Sequence, residues 1–131
     1  MILTDGQGLP LAADVASARP HEVTLIEPLI DKCPLRGRIQ RLLYDGAADS
    51  DPLRNRLAER GIELICPNRG YKRHKSQDLR KLRRNRRRWR VERTIGWLRG
   101  YRRLVTRYEH TAQIFLGFVQ LACLMIVLGR F

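Results

Sequence analysis

IQRLLYDGAADSDPLRNRLAERGIELIC, residues 39–66, holds two short apolar runs on either side of a helical pattern. The first run, IQRLLYD (39–45), reads as a strand ending in Asp45, and the second, IELIC (62–66), as another. Between them, Asp51 before Pro52 marks a helix start, an N-cap followed by proline at the first helical position. Leu53 and Leu57 lie one turn apart, and Gly61 is the expected stop. Strands joined through a helix imply an α/β fold with a mixed sheet and flanking helices.

Working outward, ILTDGQGLPLAADVAS (2–17) reads as a β-hairpin, with apolar residues on both sides of the turn-forming DGQG. His21 to Cys33 puts Val23, Ile26, Leu29 and Ile30 on one helical face, ended by Pro34 and Gly37. His21 is assigned to capping that helix. Residues 67–82 are polar and basic, a loop leading into a helix. The pattern is helical again from about residue 80 to 105 and from 110 to 129, giving two long C-terminal helices.

A chain of 131 residues suits one domain, residues 1–131. Its net charge of +13 points to a polyanionic partner. That charge is unevenly spread. Residues 1–66 hold eight Lys/Arg against ten Asp/Glu, and residues 67–131 hold eighteen against three, so the partner meets the second half. Cys33, Cys66 and Cys123 form no C-x2-C pair, which argues against zinc and for reduced thiols, with Cys66 and Cys123 in the core. MILTDGQGLP lacks the basic flank and apolar region of a secretory signal. IFLGFVQLACLMIVL (114–128) carries no charge, but a membrane span needs about 20 apolar residues. The expectation is a buried core helix without stable membrane association. The competing reading anchors residues 111–129 in a membrane, with the arginines on anionic lipid.

The chemistry concentrates in RRNRRRWRVERTIGWLRGYRRL (83–104), where Glu92 is the lone acid. At helical spacing Asn85, Arg88, Glu92, Ile95 and Arg99 share one face. Spacing alone favours an ion-pair ladder. Asp45 at a strand end is a turn initiator by itself, although ligand sites in α/β sheets also gather at the carboxyl ends of strands. Together, a strand-end Asp and a helical Glu in a basic setting suggest Mg²⁺ chemistry on phosphodiesters, with arginines on the DNA backbone. Trp89, Trp97 and Tyr101 stack on bases or belong to the core, the latter favoured for Trp97. Lys72 and Arg73, in GYKRHKSQ, touch phosphates or form a solvated loop.

DGAADSDPLRNRLAERGIELICPNR followed by RRWRVERTIGWLRGYRRLVTRYE resembles the C-terminal half of bacterial insertion-sequence transposases of the DDE class. The resemblance covers essentially the whole chain and implies an incomplete RNase H-like fold. Asp45 matches the second catalytic Asp of that family, with Asp49 as the later acid of its motif and Ala48 in place of the usual Tyr. The helical signature Y-x2-R-x3-E-x6-K reads here as Asn85, Arg88, Glu92 and Arg99: the Tyr is missing and the last residue is Arg.

The resemblance therefore implies Asp45 and Glu92 as Mg²⁺ ligands and catalytic acids. It implies Asn85, Arg88, Arg99 and the neighbouring Arg87 as DNA contacts, to which the basic loop adds Lys72 and Arg73 as candidates. ILTDGQGLPL matches the hairpin that follows the family's first catalytic strand, so Asp5 is its turn acid. The strand bearing the first catalytic Asp, and the N-terminal DNA-binding region, are expected before Met1. Such a chain is the second frame of a split transposase or a truncated remnant, and is inactive alone. When completed, it would cleave transposon ends and transfer strands to target DNA. The implied partners are DNA, an upstream-frame half and a second copy, in the bacterial cytoplasm at the nucleoid. The alternative is a non-enzymatic basic DNA-binding protein that interferes with full-length transposase.

Overall fold

Two units are built from residues 1–68 and 83–130, the residues that the computed structural model describes: Met1–Arg36 with Trp89–Phe131, and Gly37–Arg88. In the first, the expected hairpin forms from β1 (Ile2–Thr4) and β2 (Pro10–Ala13), antiparallel, with Ile2 opposite Ala13 and Thr4 opposite Pro10. A register irregularity between Leu3 and Thr4 bends it. Asp5 is indeed the turn acid. Its Oδ1 accepts the Gln7 and Leu9 N–H groups, both at 2.8 Å.

A 3-10 turn, Glu22–Leu25, leads into α1 (Ile26–Asp31), which buries Ile26, Leu29 and Ile30. This helix is shorter than the 21–33 pattern suggested. Val23 is only half-buried, and the His21 side chain makes no cap hydrogen bond. Cys33 is fully buried beyond its end.

The second unit confirms the strand–helix–strand reading. β3 (Arg41–Leu43) and β4 (Glu63–Ile65) pair in parallel, with Leu42 opposite Leu64. They are connected by α2 (Asp51–Glu59). The N-cap is Ser50, one residue earlier than expected. Its hydroxyl accepts the Leu53 N–H, and Pro52 sits in the first turn. Leu53 and Leu57 are completely buried, and Leu42, Ile62, Leu64, Ile65 and Cys66 are buried with them. At the C-terminus, Ile62 N–H donates to Leu57 O at 2.8 Å and Gly61 N–H to Ala58 O at 2.9 Å. With Gly61 at φ +73°, this is a Schellman stop.

The α/β class holds, but among the described residues the strands form two two-stranded sheets rather than one mixed sheet. The helix expected over 80–105 is also broken. A 3-10 turn, Arg86–Arg88, precedes α3 (Trp89–Arg99), and Gly100 and Tyr101 separate it from α4 (Arg102–Val105). Arginines four apart (Arg83 and Arg87, Arg84 and Arg88, Arg86 and Arg90) disfavour a continuous helix here, and Gly100 weakens it further on.

The last helix, α5 (Ala112–Leu128), is capped by the Thr111 hydroxyl, which accepts the Ile114 N–H at 3.4 Å. It is not the buried core helix expected. Only Ala122 is buried, while Ile114, Leu121, Leu124, Met125 and Leu128 stay 51–57% exposed. The helix is apolar on every side, and β2, α3 and α4 cover only part of it. Cys123 on this helix is half-buried, and burial pushes its thiol pKa up. Among the described residues, no helix is long and apolar enough to cross a membrane.

Candidate active site

Asp45 lies just beyond β3, where its extended backbone caps the 3-10 turn Gly46–Ala48. Tyr44 N–H donates to Ile65 O at 3.0 Å, so parallel pairing with β4 carries on to the residue before Asp45. The two oxygens of Asp45 do different things. Oδ1 accepts the Ala47 N–H at 2.8 Å, which fixes the side chain. Oδ2 lies 3.6 Å from Arg88 Nη2 in a loose pair whose acid side chain is 42% exposed. Such a pair contributes at most about 1 kcal/mol, so a stronger partner could displace it at little cost.

Asp49, the later acid of the same motif, faces the other way. Its side chain is completely buried, and Oδ1 pairs with Arg54 Nη2 at 3.2 Å. Arg54 also donates to Leu64 O at 2.9 Å and to Cys66 Sγ at 3.4 Å. This network ties α2 to β4 and holds the turn that presents Asp45. Of the two motif acids, one faces solvent and one is internal.

Glu92 sits in the first turn of α3 and is exposed. The expected ion-pair ladder with Arg88 and Arg99 is not formed: among the described residues, no hydrogen bond or ion pair engages the Glu92 carboxylate. Its helix is anchored from the opposite side. Arg90 Nη1 donates to Gly6 O, Arg93 Nη2 to Gln7 O at 2.7 Å, and the buried Thr94 hydroxyl is shared between the carbonyls of Gly8 and Arg90. The Arg93 guanidinium lies over the rings of Trp89 and Trp97, 4.8 and 4.7 Å from their centroids. Trp97 is half-buried, and Arg130 lies 4.6 Å over its ring. Trp89 is 52% exposed.

The structure brings Arg88 to Asp45. Glu92 belongs to the other unit. Arg87 and Arg99 are exposed, and Asn85 has a buried Oδ1 without a partner among the described residues. Lys72 and Arg73 lie outside the described residues. Among the described residues, no three metal-ligating side chains cluster. The donors available are nonetheless of the right chemistry for a hard divalent cation: carboxylate oxygens, one loosely paired and one unpaired. Sequence reasoning missed Arg93 and Thr94. The Trp89-x3-Arg93-x3-Trp97 spacing, with residues one turn apart on the same face, was the available signal.

The sequence profile of the family described as "Transposase DDE domain" matches residues 1–128. A protein assigned as the transposase of insertion sequence element IS402 from Burkholderia cepacia is 39% identical over 133 aligned residues, covering 95% of this chain. The chain spans 60% of the length of that relative. No solved structure matches.

Proposed function

This chain belongs to the DDE transposases of bacterial insertion sequences, and we propose that it supplies two of the three catalytic carboxylates, together with DNA-holding cations, to a metal-dependent transposase. Asp45 and Glu92 are the metal ligands in this reading, and Mg²⁺ the natural ion for oxygen donors. The observation that carries it is Glu92: a carboxylate amid arginines that, among the described residues, forms no ion pair. A solvated acid on such a helix would be expected to pair at i±4. An acid kept for a metal must stay available. Asp45 supports the same reading, because one oxygen is fixed by the Ala47 N–H and the other is held only loosely.

Bound divalent ions would supply an activated nucleophile and neutralise the developing charge at the phosphate. Everything else is done by the chain itself. Asp45 and Glu92 hold carboxylate oxygens toward the ions. Arg87, Arg88 and Arg99, with Lys72 and Arg73, hold the DNA backbone by charge, and Asn85 by hydrogen bonds. Arg88 would exchange its loose pair with Asp45 for a phosphate as the acid takes up metal.

The third carboxylate and the end-recognition region would come from the part of the family's longer proteins that this chain does not span, and the fold completed in this way would be RNase H-like. The completed protein would act on nucleoid DNA in the cytoplasm.

Glu92→Gln tests the reading. In a completed transposase it abolishes end cleavage while DNA affinity stays equal or rises slightly, because a negative charge has been removed from a DNA-facing surface. Cleavage that survives Glu92→Gln refutes the role. Duplex affinity that is flat from low to high salt refutes the backbone contacts.

A further inference from the structure

We propose that Arg90, Arg93 and Thr94 are positioning residues that set where Glu92 presents its carboxylate, with the Asp5–Gly8 turn as their receptor. The inference rests on the reading of Glu92 as a metal ligand. The hairpin turn satisfies its own N–H groups: Gln7 and Leu9 donate to Asp5 Oδ1, and Gly8 to Asp5 O. Three successive carbonyls, those of Gly6, Gln7 and Gly8, are left to face α3. Each accepts from a different α3 side chain, Arg90, Arg93 and Thr94 in that order.

Residues 90, 93 and 94 lie on one face of a helix with 3.6 residues per turn, about 100° apart per residue. On the same wheel Glu92 points roughly 150° away from their mean direction. Pinning that face therefore fixes the rotation of α3 about its axis and turns Glu92 outward, where it is found exposed. Thr94 is completely buried, so its hydroxyl has no water to fall back on. The Arg93 guanidinium also contacts the Trp89 and Trp97 rings, which limits its freedom to leave the carbonyl.

Gly8 is required twice over. Its φ is +88°, and a Cβ there would lie 3.0 Å from Arg90 O, 3.2 Å from Thr94 Oγ1 and 3.3 Å from Arg93 Nη2. Arg90 and Arg93 are therefore spent on the hairpin. Phosphate contacts fall to the other arginines.

The test uses the 131-residue chain, Mn²⁺ as probe, and NMR line broadening of the Glu92 side chain as readout. Thr94→Val removes the hydroxyl at nearly constant volume. It should raise the Mn²⁺ concentration needed to broaden Glu92 by roughly tenfold or more, the usual effect of losing a group that orients a metal ligand. Thr94→Ser should restore it. Amide spectra report whether the fold is intact, and Arg93→Gln replaces Thr94→Val if that variant does not fold. A folded Thr94→Val and a folded Arg93→Gln that both leave the Glu92 response unchanged overturn the positioning role and leave Glu92 itself untouched. If the wild-type chain shows no broadening at Glu92, the ligand assignment fails and takes this inference with it.

Discussion

Arg54→Met should destabilise the Gly37–Arg88 unit by about 2–3 kcal/mol. Asp49 has no exposed side-chain surface, and Arg54 sits 3.2 Å away while also serving the Leu64 carbonyl and the Cys66 sulfur. Removing one partner of a buried pair costs about 3–5 kcal/mol, because the other charge stays buried. Two facts lower the figure here. Arg54 is 36% exposed, and Asp49 has further interactions of its own. Met keeps most of the side-chain volume, so the loss is mainly polar. Asp49→Asn, which keeps an acceptor and removes the charge, should cost about 1–2 kcal/mol. The double variant should cost less than the two together, with a coupling of about 1–2 kcal/mol. Hydrogen exchange at the Leu64 and Ile65 amides is the appropriate assay, because it reads this unit by itself. A cost below about 1 kcal/mol for Arg54→Met, or additive singles, would refute the structural assignment of Asp49. It would also return Asp49 to contention as a metal acid beside Asp45.

Three further outcomes are expected. Gly61→Ala should cost about 1–2 kcal/mol in urea unfolding: φ is +73° and nothing lies within 4 Å of the added Cβ, so backbone strain is the whole effect. A loss well below 0.5 kcal/mol would show that the Schellman stop relaxes freely. The Lys32 ammonium, 2.7 Å from Asp14 Oδ1, holds that carboxyl below its ordinary value of 3.8. A depressed carboxylate stabilises the fold above its unfolded pKa and loses that contribution as pH falls through the folded value. Lys32→Met should therefore cost about 0.5 kcal/mol near neutral pH, discounted for a half-exposed lysine, and progressively less as pH falls through the depressed folded value; an equal cost at neutral and strongly acid pH would contradict this. Duplex binding should weaken with salt at a log–log slope of about −4.5 if the five named cations each meet one phosphate. A slope near zero in a fluorescence anisotropy titration would remove them as backbone contacts.

How far the sequence could be read depended on whether a feature was local. The 39–66 unit and the DGQG hairpin were legible because strand pattern, cap, glycine stop and turn chemistry all lie within a few residues of one another. Asp45 was legible for the same reason: a strand end is a local event. The break at residues 86–88 and the stop at Arg99 were not, because a run of arginines fits a helical period while repelling itself along the helix axis. The opposite fates of Asp45 and Asp49 depended on Arg54 reaching back to Asp49 and across to β4. The apolar face left open on α5 depended on how much surface its neighbours happen to cover. The bond from Thr94 to Gly8 spans 86 residues, beyond any spacing argument.

The central proposal is that Asp45 and Glu92 both serve as ligands to a divalent metal ion, and Mn²⁺ titration of the chain tests it most directly. Mn²⁺ shares with Mg²⁺ a preference for oxygen donors, and paramagnetic broadening detects weak sites. The account predicts that the Asp45 and Glu92 side-chain signals broaden together at the lowest Mn²⁺ concentrations, before those of Asp49 and Asp5, and that Glu92→Gln weakens the broadening at Asp45. Broadening of either acid without the other, or first at acids elsewhere in the chain, would contradict it.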